Sequence, residues 1–140
     1  MSAGSALVRL PAPVLVLGAY GYRNIGDEAI LAGLLAQLGE DADPSVVSRM
    51  PAETAALHGV RSVGPAAALG ALRNHRSLLI GGGGLFGSGM GRLGRMTALF
   101  GLAASALGRR VAVVGVGVDP DLPLATAWPL RRLADRKSVV

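Results

Sequence analysis

The sequence predicts one α/β domain with a Rossmann-like, doubly wound parallel sheet. Short apolar runs alternate with amphipathic runs along most of the 140 residues, which is typical of strand–helix repeats. The apolar runs are continuous, as in residues 14–17 and 78–80, and continuous runs indicate strands that are covered on both faces. Two of these runs lead directly into glycine-rich turns, at residues 18–28 and 81–84.

The first half of the chain is expected to contain three strands and three helices. The first strand is predicted at residues 14–17, and the helix after it at 29–38 has one apolar face and ends at Gly39. A second strand is expected at 45–49, and Pro51 is suited to the first turn of a short helix. A short third strand at 60–63 and a helix at 65–73 complete this half.

The second half continues the same alternation. The fourth strand is expected at residues 77–80, a helix at 92–107 that ends at Gly108, and a fifth strand at 111–116. A further helix is expected at 125–134 and the beginning of a sixth strand at 137–140. We interpret residues 1–13 as a loose leader and residues 14–140 as the domain.

The strand count places the two glycine-rich turns together. In the common order 3-2-1-4-5-6, strands one and four are neighbours and the direction of winding reverses between them, so ligands bind outside their carboxyl ends. The two turns follow these two strands. The sequence therefore predicts a single crevice between them.

Composition disfavours several classes of function. Fourteen basic against nine acidic residues give a formal charge of +5, but the basic residues are scattered and aromatic residues are few, so nucleic acid is not the expected partner. No cysteine is present, which fits a cytoplasmic location. Arg109 and Arg110 divide the apolar stretch at 98–118 into pieces too short to span a membrane. No cluster of metal ligands can be assembled, and no metal is expected.

The first turn matches neither of two familiar nucleotide-binding loops. Glycines at 18, 21 and 26 do not have the dinucleotide spacing G-x-G-x-x-G. Gly21 and Gly26 have P-loop spacing, but Asp27 and Glu28 stand where Lys and Ser or Thr are needed. These carboxylates would repel a triphosphate, so hydrolysis of ATP or GTP is not expected.

Candidate binding residues come from both turns: Gly21, Asn24, Gly26, Asp27, Gly82, Gly83 and Gly84. Asn24 either holds a ligand hydroxyl or satisfies backbone groups of the turn, and Asp27 either orients a sugar hydroxyl or caps the first helix. Four consecutive glycines favour close backbone approach to a ligand or a facing domain over a simple turn. Catalytic residues remain unknown, since no nucleophile–base pair is found.

Several other residues have plainer interpretations. His58 and His75 have no carboxylate or second histidine at a ligand spacing, so both are interpreted as surface residues. Tyr20, Tyr22 and Phe86 either line the mouth of the crevice or pack the turns. Arg92 and Arg95 are expected to be solvated.

Residues 21–31, which read Gly-Tyr-Arg-Asn-Ile-Gly-Asp-Glu-Ala-Ile-Leu, resemble the opening motif of the polysaccharide pyruvyl transferases. Residues 79–86 resemble the second glycine-rich turn of that family, and 113–118 resemble a later strand and turn. The resemblance implies transfer of an enolpyruvyl group from phosphoenolpyruvate to a sugar of a glycan or glycolipid, which leaves a pyruvate ketal and phosphate. Phosphoenolpyruvate is then a donor substrate, and no cofactor is implied.

The resemblance also implies two α/β domains in a GT-B-like architecture, with the active site between them. Only the first domain is matched, so the catalytic groups are expected in a missing second domain and the 140-residue chain is expected to be inactive alone. Two alternatives remain open: the first domain of a nucleotide-sugar glycosyltransferase, or a truncated, non-catalytic binding domain.

Overall fold

In the part of the chain that the structure describes, five strands form one parallel sheet in the order 3-2-1-4-5. The computed structural model describes residues 10–81 and 91–114 of the chain. The strands are β1 (Val14–Leu17), β2 (Ser45–Val47), β3 (Arg61–Val63), β4 (Ser77–Gly81) and β5 (Arg110–Val114). In the described part of the chain, the predicted Rossmann-like winding is therefore confirmed.

Among the described residues, four helices connect these strands: α1 (Ile25–Leu38), α2 (Pro51–His58), α3 (Ala68–Leu72) and α4 (Gly91–Ala106). Short 3₁₀ turns follow α1, at Glu40–Ala42, and precede α3, at Pro65–Ala67. Within the described ranges, none of these helices combines the length and apolar character needed to cross a bilayer.

The apolar side chains divide into two core clusters, one on each face of the sheet. One cluster joins β-strand residues such as Leu78 and Ile80 to Leu72 of α3 and Ala98 of α4. The other joins strand residues such as Val16 and Leu79 to α1. Successive residues of one strand enter opposite clusters because side chains alternate across a strand, which explains why the central strand β1 is apolar at every position.

Helix α1 buries one stripe of leucines, Leu31, Leu34 and Leu38. It begins at Ile25, four residues earlier than predicted, because the side chain of Asn24 caps it. The expected starting point at Ala29 was wrong, since the acidic pair before it is compatible with the first turn of a helix.

Two other predicted elements differ clearly from their predicted form. Strand β2 ends at Val47 rather than at 49. The N–H of Ser48 still donates to the carbonyl oxygen of Val63 in β3, but the N–H of Arg49 donates to Tyr20 in the turn after β1. The helix predicted at 65–73 divides into a 3₁₀ turn and the short α3. The helix predicted at 125–134 and the sixth strand lie outside the described residues.

Candidate functional site

The carboxyl ends of β1 and β4 lie side by side, as predicted for the winding reversal. Leu17 is the register partner of Ile80, so the first turn leaves the sheet beside the start of the second. A β-carbon on Gly18 would overlap the carbonyl oxygen of Gly81 and lie 2.7 Å from Cζ of Tyr20. Glycine is required at position 18 because the two strand ends approach too closely for a side chain.

Tyr20 joins the two turns directly. Its side chain is 1% exposed, and its hydroxyl donates a hydrogen bond of 2.8 Å to the carbonyl oxygen of Gly81. Burial, with smaller contributions from Asp27 and Glu28, raises the pKa of Tyr20 above its usual range. The hydroxyl therefore remains a proton donor at physiological pH. Of the two interpretations of Tyr20, packing of the turns is the one that the structure supports.

The first turn is also packed against the segment after β2. Gly21 has φ +84°, and a β-carbon there would overlap Ser48 Oγ and lie 2.6 Å from the backbone nitrogen of Met50. Ser48 Oγ lies 2.7 Å from Thr54 Oγ1 and accepts the N–H of Met50 at 3.0 Å. This buried polar group leaves room only for glycine at position 21, where the backbone also requires positive φ.

Asn24 caps helix α1. Its Oδ1 accepts the N–H groups of Gly26 at 3.0 Å and Asp27 at 3.3 Å, and its carbonyl oxygen accepts the N–H of Glu28 at 3.0 Å. Donors that could hold an anion at this helix end are thus already used within the turn. Asp27 is not the cap. It lies in the first turn of α1, and its carboxylate accepts no hydrogen bond from the described residues.

Asp27 is the acidic residue among the candidates, and its side chain is half-buried. Partial burial, and then the neighbouring carboxylate of Glu28, raise the pKa of Asp27 above its ordinary value. A carboxylate with a raised pKa is a better hydrogen-bond acceptor for a hydroxyl than an ordinary one, because it is a stronger base. The Nδ2 group of Asn24 lies on the same exposed turn, so this turn can present both an acceptor and a donor.

Arg23 adopts a left-handed conformation, with φ +58°, although it is not glycine. Its Nε lies 3.5 Å from Glu53 Oε1 in an exposed ion pair. Such a pair contributes little stability in water. Left-handed non-glycine residues occur often at binding sites.

His58 was predicted to lie on the surface, and that prediction was wrong. Its side chain is 6% exposed, and its Nε2 lies 3.3 Å from Oε1 of Glu28, which is itself 16% exposed. Oε2 of Glu28 is buried with no partner among the described residues. Spacing along the sequence could not reveal the pair, because it joins α1 to α2 across 30 positions.

His75 is also buried, contrary to its predicted surface location. It is 9% exposed, and its Nδ1 lies 2.6 Å from the carbonyl oxygen of Ala71 in α3. This bond closes the end of α3 at the edge of the sheet opposite the glycine turns. His75 is therefore structural.

A cleft of about 830 Å³ lies between α1 and α2. Its walls are mostly apolar, and Ile25 and Leu57 on them are 87% and 68% exposed. The charged groups that line it are already paired, as Arg23 with Glu53 and Glu28 with His58. The cleft lies beside the first turn but outside the space between β1 and β4, so it is not the predicted crevice.

The structure thus brings Gly21, Asn24, Gly26 and Asp27 together in one turn beside the end of β4. Gly82, Gly83 and Gly84 lie outside the described residues, as does Phe86, so their roles stay predictions. Arg95 is exposed, as expected. Sequence reasoning did not single out Tyr20 as the link between the turns; its place directly after a buried strand was the available signal.

Comparison with known families gives an independent result. The family described as polysaccharide pyruvyl transferase matches residues 24–140, which is most of the chain and includes Asn24 and Asp27. Neither curated proteins nor solved structures gave a significant match. The family match agrees with the parallel sheet and with the turn at its winding reversal, and on that match the chain belongs to the polysaccharide pyruvyl transferase family.

Proposed function

We propose that this domain binds the acceptor sugar in a transfer of the enolpyruvyl group from phosphoenolpyruvate. The supporting observation is the first turn, which lies beside the end of β4. There the pKa of Asp27 is raised, and the backbone N–H groups of Gly26 and Asp27 are already bonded to Asn24. The family match supports the class of reaction. Asp27 would accept a hydrogen bond from an acceptor hydroxyl, and Asn24 Nδ2 would donate one to a neighbouring sugar oxygen.

The reaction defines which groups must be present. Two acceptor hydroxyls form bonds to C2 of phosphoenolpyruvate, the C2–O bond to phosphate breaks, and the CH₂ carbon takes one proton to become the ketal methyl group. The second hydroxyl proton leaves with the phosphate. A proton donor for the CH₂ carbon and cations that stabilise the departing phosphate are both required.

The first turn is unsuited to hold the phosphate. Asn24 already occupies the N–H groups of Gly26 and Asp27, and the carboxylates of Asp27 and Glu28 would repel an anion. We infer that the phosphate is bound elsewhere, by residues of the second glycine turn or of a second domain. A role of Gly82, Gly83 and Gly84 in close approach to the donor belongs to this proposal. So does a cytoplasmic location, where phosphoenolpyruvate is available.

The test measures ketal formation from phosphoenolpyruvate carrying ¹³C at C2. We expect conversion of this carbon to a ketal, with equal release of phosphate, when the complete product of the reading frame is incubated with an acceptor glycan. The Asp27→Asn variant should lose most of this activity, while an exposed acidic residue far from the turn, changed as Asp41→Asn, should not. We expect residues 1–140 alone to be inactive.

Three results would contradict the proposal or part of it. Ketal formation by residues 1–140 alone would refute the need for a second domain. Full activity in Asp27→Asn would remove the turn from the acceptor site. Saturable binding of a nucleotide sugar without any ketal formation would instead favour the glycosyltransferase alternative.

A further inference from the structure

Arg49 lies at the same edge of the sheet as the first glycine turn. It follows β2 by two residues, and its backbone N–H donates a hydrogen bond of 3.1 Å to the carbonyl oxygen of Tyr20. A β-carbon on Gly21 would lie 2.8 Å from the same backbone nitrogen. The backbone of Arg49 is thus fixed to the turn that carries Asn24 and Asp27.

The side chain of Arg49 is stacked on an exposed aromatic ring. Its guanidinium carbon lies 5.3 Å from the centroid of the Tyr22 ring, and Tyr22 is 46% exposed. The distance and geometry fit a cation–π contact, which reduces the number of rotamers that the arginine samples. The guanidinium carries its N–H donors in a planar fork.

Arg49 differs from Arg23 and Arg61 in its ion pairing. Arg23 is paired with Glu53, and Arg61 with Asp43. In residues 10–81 and 91–114, by contrast, no carboxylate lies within ion-pair distance of Arg49. A planar guanidinium fork without a carboxylate partner fits the two oxygens of a carboxylate or a phosphate.

We propose that Arg49, held over Tyr22, binds a carboxylate or phosphate group of a substrate that lies beside Asp27. This inference rests on the proposed function and adds an anionic group to what the site recognises. The anion has two sources, an acidic or phosphorylated sugar of the acceptor and the carboxylate of phosphoenolpyruvate. Both present two oxygens of one acidic group to the guanidinium.

The test is a set of NMR titrations of the 140-residue chain with four probes: glucuronate, glucose 1-phosphate, phosphoenolpyruvate and glucose. The variant Arg49→Gln removes the charge. Its matched control is Arg73→Gln, since Arg73 is also exposed but caps the end of α3 at the opposite edge of the sheet. Two variants of Tyr22 distinguish the contribution of its ring from that of its hydroxyl: Tyr22→Phe removes the hydroxyl alone, and Tyr22→Leu removes the ring as well.

We expect Arg49→Gln to weaken binding of the anionic probes on the order of tenfold, as for loss of a charge-assisted hydrogen bond, and to leave glucose binding unchanged. Arg73→Gln and Tyr22→Phe should bind as the unaltered chain does. Tyr22→Leu should weaken anion binding by about threefold, because the stacked ring no longer orients the guanidinium. If Arg49→Gln weakens binding of the sugar anions, the acceptor is the source of the anion. If it weakens binding of phosphoenolpyruvate, the donor is the source.

Equal binding of the anionic probes by Arg49→Gln and the unaltered chain would overturn the inference. So would an unaltered chain that binds the anions no better than glucose. These results are distinguishable from failure of the proposed function. Anion binding through Arg49 without any ketal formation would contradict the proposed transfer reaction and support the anion subsite. Ketal formation at the same rate in Arg49→Gln would support the transfer reaction and contradict the anion subsite.

Discussion

The two halves of the first glycine turn have opposite environments. Residues 18–21 are packed between β1, β4 and the segment after β2, and Tyr20 at their centre is 1% exposed. Residues 22–26 are exposed, and Ile25 among them is 87% exposed. One continuous motif therefore contains a packed support and an exposed surface. Added atoms would overlap neighbouring groups at Gly18 and Gly21 in the first half, while the second half carries exposed polar side chains such as Arg23 and Asn24.

The largest effect is expected where the packed half meets β4. In Gly18→Ala, the new methyl group would overlap the backbone oxygen of Gly81 and crowd the Tyr20 ring, which we expect to lower the free energy of unfolding by about 2–4 kcal/mol. Urea unfolding followed by circular dichroism measures the change.

The matched control for this variant is Gly33→Ala, in the interior of α1, where no atom lies within 4 Å of the new methyl group. That change should stabilise the protein by about 0.5–1 kcal/mol, because alanine has the higher helix propensity. Equal stability of Gly18→Ala and the unaltered chain would show that the two strand ends are not in rigid contact.

A smaller effect is expected from removing the link between the turns. Tyr20→Phe keeps the buried ring but leaves the carbonyl oxygen of Gly81 without its 2.8 Å hydrogen bond. We expect a loss of about 1–3 kcal/mol of unfolding free energy, the usual cost of a buried unsatisfied polar group. Thermal and urea unfolding measure it, with Tyr22→Phe on the exposed half as the control. If both variants unfold alike, the division of the turn into two halves is wrong.

The smallest effect on stability is expected at Asp27, which directly follows the exposed half. Burial and Glu28 raise the pKa of Asp27 above its ordinary value of 3.8, so the folded protein binds this proton more tightly than the unfolded chain does. The contribution of Asp27 to stability is therefore less favourable at neutral pH and improves as the pH falls toward 3.8. Asp27→Asn should change the unfolding free energy by no more than about 0.5 kcal/mol at pH 7.

Urea unfolding of both proteins across this pH range tests the sign. The unaltered chain should gain stability relative to Asp27→Asn as the pH falls through the window above 3.8. A relative loss of stability over the same window would mean that the folded state lowers the pKa of Asp27, and the carboxylate would then be held by a partner instead of being available to a hydroxyl.

The amino-acid sequence by itself determined the class of fold and the location of the turns. Continuous apolar strands such as Val14–Leu17 have no polar face, so they require helices on both sides of a parallel sheet. Alternation of such strands with helices leaves few windings, and the handedness of the connections selects among them. The glycines at 18 and 21 were recognisable because their conformations and contacts are local or follow directly from that sheet.

Only the tertiary structure decided which polar groups are already occupied. Asn24 uses its oxygen as a helix cap, Tyr20 donates to Gly81, and His58 lies against Glu28 from a helix 30 positions away. The availability of a hydrogen-bonding group depends on which atoms fold against it, and those atoms are remote in sequence. Arg49 is a further example, since the sequence alone does not reveal that its guanidinium lies over the ring of Tyr22.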